Sequence, residues 1–138
     1  MADNVSALLK NLLPALSEGK FFVGTFPEAQ MMGLAGYLSY IICIFREDEG
    51  LTAVFREEAK EELGRYTEKK MEGPFALLTL QADSSLFSVG LLSRVTGALA
   101  KEGIACNAFS AYHHDHLLVP YEKKDAALVA LKNLQKSA

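Results

Sequence analysis

The run Gly90–Ile104 (GLLSRVTGALAKEGI) constrains the chain more than any other stretch. Leu91, Leu92, Val95, Ala98 and Leu99 recur at helical spacing between Gly90 and Gly103. That pattern predicts an amphipathic helix over 90–102, which must bury one face against another layer. The neighbouring runs are short and apolar, as strands are: Phe75–Leu80 before it, Ile104–Ala111 and His116–Val119 after it, with a turn at Tyr112–Asp115. A second amphipathic helix is expected over Asp125–Leu134, with Ala126, Leu128, Leu131 and Leu134 inward. The second half of the chain therefore reads β-α-β-β-α, an α+β arrangement of an antiparallel sheet with helices on one face.

The first half reads differently. Val5, Leu8, Leu9, Leu12, Leu13 and Leu16 predict a helix over 4–17, started by Asp3 or Asn4, disturbed at Pro14 and stopped at Gly19. A strand is expected at Lys20–Phe26 and a loop at Pro27–Gly36. Tyr37–Phe45 is a continuous apolar run, so a buried strand is expected there. Glu47–Gly50 reads as a turn, Leu51–Phe55 as the returning strand and Arg56–Leu63 as a short helix closed by Gly64. Residues 65–73 form a polar linker, which divides the chain into units 1–72 and 73–138. The orders α-β-β-β-α and β-α-β-β-α each lack a terminal strand of βαββαβ, and interleaved strands would supply it.

Composition removes several classes. At 138 residues, half of them hydrophobic and 22% charged, the chain is globular rather than disordered. A net charge of -3 with no basic cluster beyond Lys69-Lys70 and Lys123-Lys124 argues against nucleic acid. No apolar run approaches the roughly 20 residues that span a bilayer. Cys43 and Cys106 lie in apolar runs and read as free buried thiols. With no basic leader near Asp3 and Asn4, a cytoplasmic protein is expected.

Gly90–Ile104, preceded by Asp83, resembles the signature stretch of ACT domains: an acidic residue after the first strand, a glycine opening the helix, and an apolar residue starting the second strand. YHHDHLLVP at 112–120 and EGLT at 49–52 resemble small bacterial tandem ACT proteins and the ACT halves of animal cytosolic arginine sensors. The resemblance implies two ferredoxin-like βαββαβ units, ligand binding at a seam between paired units, and a regulatory rather than an enzymatic role; the sheet's other face or edge needs cover, so a homodimer is expected. It also implies the site. One wall is Ser84, Ser85, Ser88, Val89 and Gly90. The other is Ala105, Cys106, Ala111, Tyr112 and Asp115. The implied ligand is a small molecule such as an amino acid, with no cofactor, metal, nucleic acid or membrane. The competing reading is an interaction module with no ligand.

Elementary chemistry supports the same place. Amide N–H groups at a helix start favour a carboxylate. Gly90 lets a ligand come close to the backbone, the serines donate and accept, and Asp115 suits an amine or guanidinium. Other constellations are weaker. His113 and His114 diverge if they lie on one strand, so a zinc site is not expected, and a solvated hairpin tip is the simpler reading. Glu47-Asp48-Glu49 read as a solvated turn rather than catalytic carboxylates, and Cys106 as a core thiol rather than a nucleophile. Ser84-Ser85 lack a nucleophile-elbow pattern. Gly24, Gly33 and Gly36 do not form a phosphate loop.

Overall fold

In the computed structural model, which describes residues 4–138, twelve strands and α-helices follow one another, with short 3-10 turns between several of them. They are α1 (Val5–Lys10), β1 (Ala15–Leu16), β2 (Phe21–Phe26), α2 (Met31–Ala35), β3 (Ile41–Glu47) and β4 (Gly50–Arg56). Then come α3 (Lys60–Leu63), β5 (Glu72–Leu80), α4 (Leu91–Lys101), β6 (Asn107–Ser110), β7 (Asp115–Pro120) and α5 (Lys124–Lys136). They divide into two units, residues 19–75 and residues 4–18 with 76–138.

In the 19–75 unit, β2 pairs antiparallel with β4, and β4 with β3. On the other side of β2, Phe21 and Val23 face Phe75 and Glu72 at the start of β5. The β3–β4 hairpin turns at Asp48-Glu49, with Glu47 opposite Gly50. Gly50 has φ +146°, and a Cβ there would come within 2.6 Å of the Phe26 carbonyl oxygen, so only glycine fits. Phe22, Phe26, Leu34, Leu51, Phe55 and Leu63 are buried together. The Phe55 ring stacks on Phe22 at 6.5 Å and meets Phe26 edge-on at 6.4 Å.

Three expectations for this unit need correction. Residues 27–36 are not a loop: a 3-10 turn at Glu28–Gln30 leads into α2, whose Leu34 is wholly buried in the core. The strand expected at Tyr37–Phe45 begins only at Ile41, after a turn at Leu38–Tyr40. Nor is it buried, because among the described residues β3 is the outer strand with a partner on one side only, and Phe45 is 64% exposed. A continuous apolar run is common to central and edge strands, and only pairing tells them apart. The linker expected at 65–73 is partly structured: Tyr66 and Met71 pack on the core and β5 already begins at Glu72.

In the other unit, α1, α4 and α5 pack together against one face of β5 and β7. Ala76, Leu78, Leu80, Leu117 and Val119 point from the strands into the layer holding Leu8, Leu9, Leu12, Leu91, Val95, Leu99, Ala127 and Leu131. β6 pairs antiparallel with β7, Ser110 lying opposite Asp115. Along α4 the buried positions Leu91, Val95 and Leu99 are four residues apart, one stripe of a helix. The strand expected over Ile104–Ala111 is confined to Asn107–Ser110, and the last helix is longer than expected, Lys124–Lys136.

The first helix is much shorter than its leucine spacing suggests. Asn4 caps it, its Oδ1 accepting from the Ala7 N–H at 3.0 Å, while Asp3 lies outside the described residues. It stops at Lys10, so Gly19 does not end it. Leu13, the residue before Pro14, is driven off the helical region to φ +40°. Beyond the break, Ala15 and Leu16 pair with Thr79 and Leu78. The Leu12 carbonyl accepts from the Gln81 N–H at 3.0 Å, and the Ser17 N–H donates to the Leu77 carbonyl at 2.9 Å. By their packing, residues 4–18 group with 76–138, where β1 pairs with β5.

Candidate functional site

Within the 4–18 and 76–138 unit, a hollow of about 150 Å³ lies between the loop entering α4 and the β6–β7 hairpin. At roughly 30 Å³ of liquid volume per water, it has the size of about five waters, or of a small polar metabolite.

The loop wall is built by its own hydroxyls. Ser85 N–H donates to Ser88 Oγ at 3.0 Å, Phe87 N–H donates to Ser85 Oγ at 3.1 Å, and Ser88 N–H donates to the Ser85 carbonyl at 3.1 Å. These bonds fold residues 85–88 into a tight turn and hold its serines at the hollow's edge. The turn delivers the chain to Gly90, which caps α4 with φ +95° and ψ −10°. Gly90 brings no capping side chain, and its carbonyl accepts the first intrahelical bond, from Arg94 N–H at 3.0 Å. The N–H groups of Leu91, Leu92 and Ser93 lie ahead of that bond, and all three residues line the hollow. Eleven helical residues align their peptide dipoles behind that end, which favours negative charge.

The facing wall is the hairpin. Ala111 N–H donates to the His114 carbonyl at 3.0 Å, closing the tip, and Ser110, Ala111, His113, His114 and Asp115 line the hollow. Asp115 is half-buried and is the lining carboxylate. Just beyond it, Thr79 Oγ1 and His116 Nδ1 are 2.9 Å apart. Burial lowers the His116 pKa, His114 lowers it further, and Asp115 opposes them. One wall therefore offers amide donors and positive potential, the other a carboxylate and two imidazoles.

Of the ten residues named from the sequence, Ser84, Ser85, Ser88, Gly90, Ala111 and Asp115 line this hollow. Val89 and Tyr112 lie beside it, 84% and 76% exposed. Ala105 is exposed on the approach to β6, and Cys106 packs half-buried against the core, where burial pushes its thiol pKa up. The sequence reading does not name Leu86, Leu91, Leu92, Ser93, Ser110, His113 or His114 as lining residues. From the sequence the histidines read as metal ligands or a solvated tip, although a hairpin returning beside a helix start places its tip at the helix's amide end. Their rings are 6.4 Å apart from His113 to His114 and again from His114 to His116, and no metal-ligating group of three His, Cys, Asp or Glu occurs among the described residues. No helix among them is long and apolar enough to cross a membrane.

Two models of the ACT domain match in tandem, one over residues 2–69 and one over 72–133. A solved protein of unknown function from Vibrio cholerae, described as a possible transport protein, superposes with a TM-score of 0.76 at 34% identity over 94% of each chain. The regulatory subunit of aspartate kinase from Thermus flavus has the same fold, with a TM-score of 0.68 at 13% identity over 88% of this chain and 95% of that one. A further solved protein, from Agrobacterium tumefaciens, gives 0.67 at 17% identity over 88% and 87%. No curated protein matches the chain in sequence.

Proposed function

Because the chain belongs to the ACT-domain family, its two matches in tandem, we propose that it is a ligand-responsive regulatory protein without catalytic activity of its own. A zwitterion the size of an amino acid occupies the hollow. Its carboxylate meets the amide end of α4 at Leu91, Leu92 and Ser93, and its ammonium faces Asp115. The observation that carries this reading is the meeting of those opposed charge preferences in one hollow of about 150 Å³. Regulation follows from differential binding: a ligand that fits one arrangement of the α4 loop and hairpin better than another shifts the population toward it. The partner that reads out this shift is a second copy. It covers β3, the outer strand whose Ile42 and Phe45 are 40% and 64% exposed.

Thermal denaturation across the twenty amino acids tests the ligand. A compound present at a hundred times its dissociation constant stabilises the folded form by about 2.7 kcal/mol. Asp115→Asn removes the ammonium's partner and Gly90→Asp sets a negative charge at the amide end, so each abolishes the stabilisation. If no compound stabilises the protein, the alternative of an interaction module without a ligand takes over. If one does so equally in both variants, the site lies elsewhere. Sedimentation tests the dimer, which Phe45→Lys converts to a monomer.

A further inference from the structure

Exposed apolar side chains flank the hollow on both of the segments that form its walls. Leu86, Phe87 and Val89 on the loop are 65%, 89% and 84% exposed, and Tyr112 on the hairpin is 76% exposed. Single exposed hydrophobic side chains need no explanation. Four on two segments flanking one polar hollow form a pattern that marks a contact site. They are continuous with the hollow: Leu86 lines it directly, and the Tyr112 ring meets the His113 ring edge-on at 4.9 Å, with His113 lining the opposite wall. The loop also presents these groups by design of its hydrogen bonds. Ser85 Oγ holds the Phe87 N–H at 3.1 Å, so the turn fixes the backbone that carries Leu86 and Phe87.

We infer that the ligand is an amino acid with an apolar side chain, its charged ends inside the hollow and its side chain against Leu86, Phe87 and Tyr112. This rests on the reading of the hollow as a zwitterion site. Charged groups at one end and apolar surface at the mouth select an amphiphilic ligand, and they penalise one whose side chain ends in a hydroxyl, carboxylate or ammonium, which would lose water against those rings. Each methylene brought out of water tightens binding by about fourfold at full burial. Leucine, three carbons larger than alanine, therefore binds about eightfold tighter at half burial.

Calorimetric titration of the full chain with leucine, isoleucine, methionine, phenylalanine, alanine, serine, threonine, aspartate and lysine tests this, together with sedimentation of each variant. The expected result is leucine or another apolar member binding about eightfold or more tighter than alanine. Phe87→Ser is expected to weaken that ligand about tenfold and leave alanine unchanged, and Asp115→Asn to abolish both. If serine, threonine, aspartate or lysine binds best and Asp115→Asn abolishes it, the apolar specificity is wrong while the zwitterion site stands. If no amino acid binds, both fall. If Phe87→Ser leaves affinity unchanged and dissociates a dimer, the rim is a contact between copies and the inference is overturned.

Discussion

Two glycines in one helix should respond to alanine with opposite signs. Gly90 opens α4 at φ +95°, where an L side chain is strained, and a Cβ placed there meets nothing closer than Val5 Cγ2 at 3.8 Å. That is ordinary contact, so Gly90→Ala is costly for its backbone angle alone. The left-handed region costs about 1–2 kcal/mol for a residue with a side chain, and alanine's smaller unfolded-state entropy returns about half a kcal/mol. The net expectation is a loss of about 1 kcal/mol. Gly97 sits exposed in the same helix's interior with no atom within 4 Å of a Cβ. Gly97→Ala therefore gains about 0.5–1 kcal/mol through helix propensity and lost unfolded-state freedom. The sites are two helical turns apart, about 10 Å, so the double variant should fall near wild type. Urea denaturation followed by circular dichroism reads all three, with an unchanged slope showing that the same surface unfolds. Scaled to this chain length, each kcal/mol corresponds to about 3 to 4 °C in midpoint temperature. A neutral Gly90→Ala would mean that residue 90 does not hold a positive φ, and a destabilising Gly97→Ala would mean that the exposed face of α4 is covered in solution. Either result refutes the reasoning.

Three further outcomes are expected. Leu99, wholly buried among the three helices and the sheet, should cost about 2–5 kcal/mol when replaced by alanine, measured by the same denaturation. His116 titrates below an ordinary histidine because it is partly buried, with His114 adding to the shift. Its folded-state pKa therefore lies under the unfolded one, so its stabilisation is whole above about pH 6.5 and is lost as pH falls from there toward the lowered value. Urea midpoints between pH 7.5 and 5 should fall more in wild type than in His116→Gln, and equal slopes would exclude this origin. Titration with the identified ligand should give one site per chain, and two would mean that the 19–75 unit binds as well.

The sequence made the local elements plain and left the non-local ones hidden. α4 was legible because Leu91, Val95 and Leu99 repeat every fourth residue between two turn-forming glycines. The β3–β4 hairpin was legible because Gly50 supplies the angle its turn demands. The first helix was misjudged because Leu12, Leu13 and Leu16 continue the leucine spacing past the break before Pro14, although Leu12 is buried from a loop and Leu16 sits on a strand. Periodicity counts apolar positions and does not sense that strand's pairing partner, which is more than sixty residues away at Leu78 and Thr79. Membership of residues 4–18 in the later unit depends on the same distant pairing, so no linker composition could reveal it. At the site, Ser84, Ser85, Ser88 and Gly90 came from the resemblance to ACT domains, whose loop before the first helix forms one wall of the ligand site. His113 and His114 did not, because which side of a hairpin tip faces a helix is decided by the twist and register of strands that local sequence does not specify.

The two units treat one place in a shared architecture differently, and the difference is electrostatic. In 19–75, the turn after β2 and the strand entering the hairpin are joined by an ion pair, Glu28 with Arg46, and the hairpin's Glu47 accepts from the Thr52 hydroxyl. The helix there, α2, has five residues and is entered from a 3-10 turn, so few peptide dipoles are aligned behind its start. In the later unit, the turn after β5 carries Asp83 followed by three serines, Asp115 starts the returning strand of the β6–β7 hairpin, and α4 has eleven residues. A basic side chain and a carboxylate of the chain itself meet in the first case. In the second, an eleven-residue helix start and the Asp115 carboxylate both border a hollow of about 150 Å³. Helix length and the residue types at the turn and hairpin thus set the two units apart: an internal ion pair joins these segments in one, and a hollow lies between them in the other.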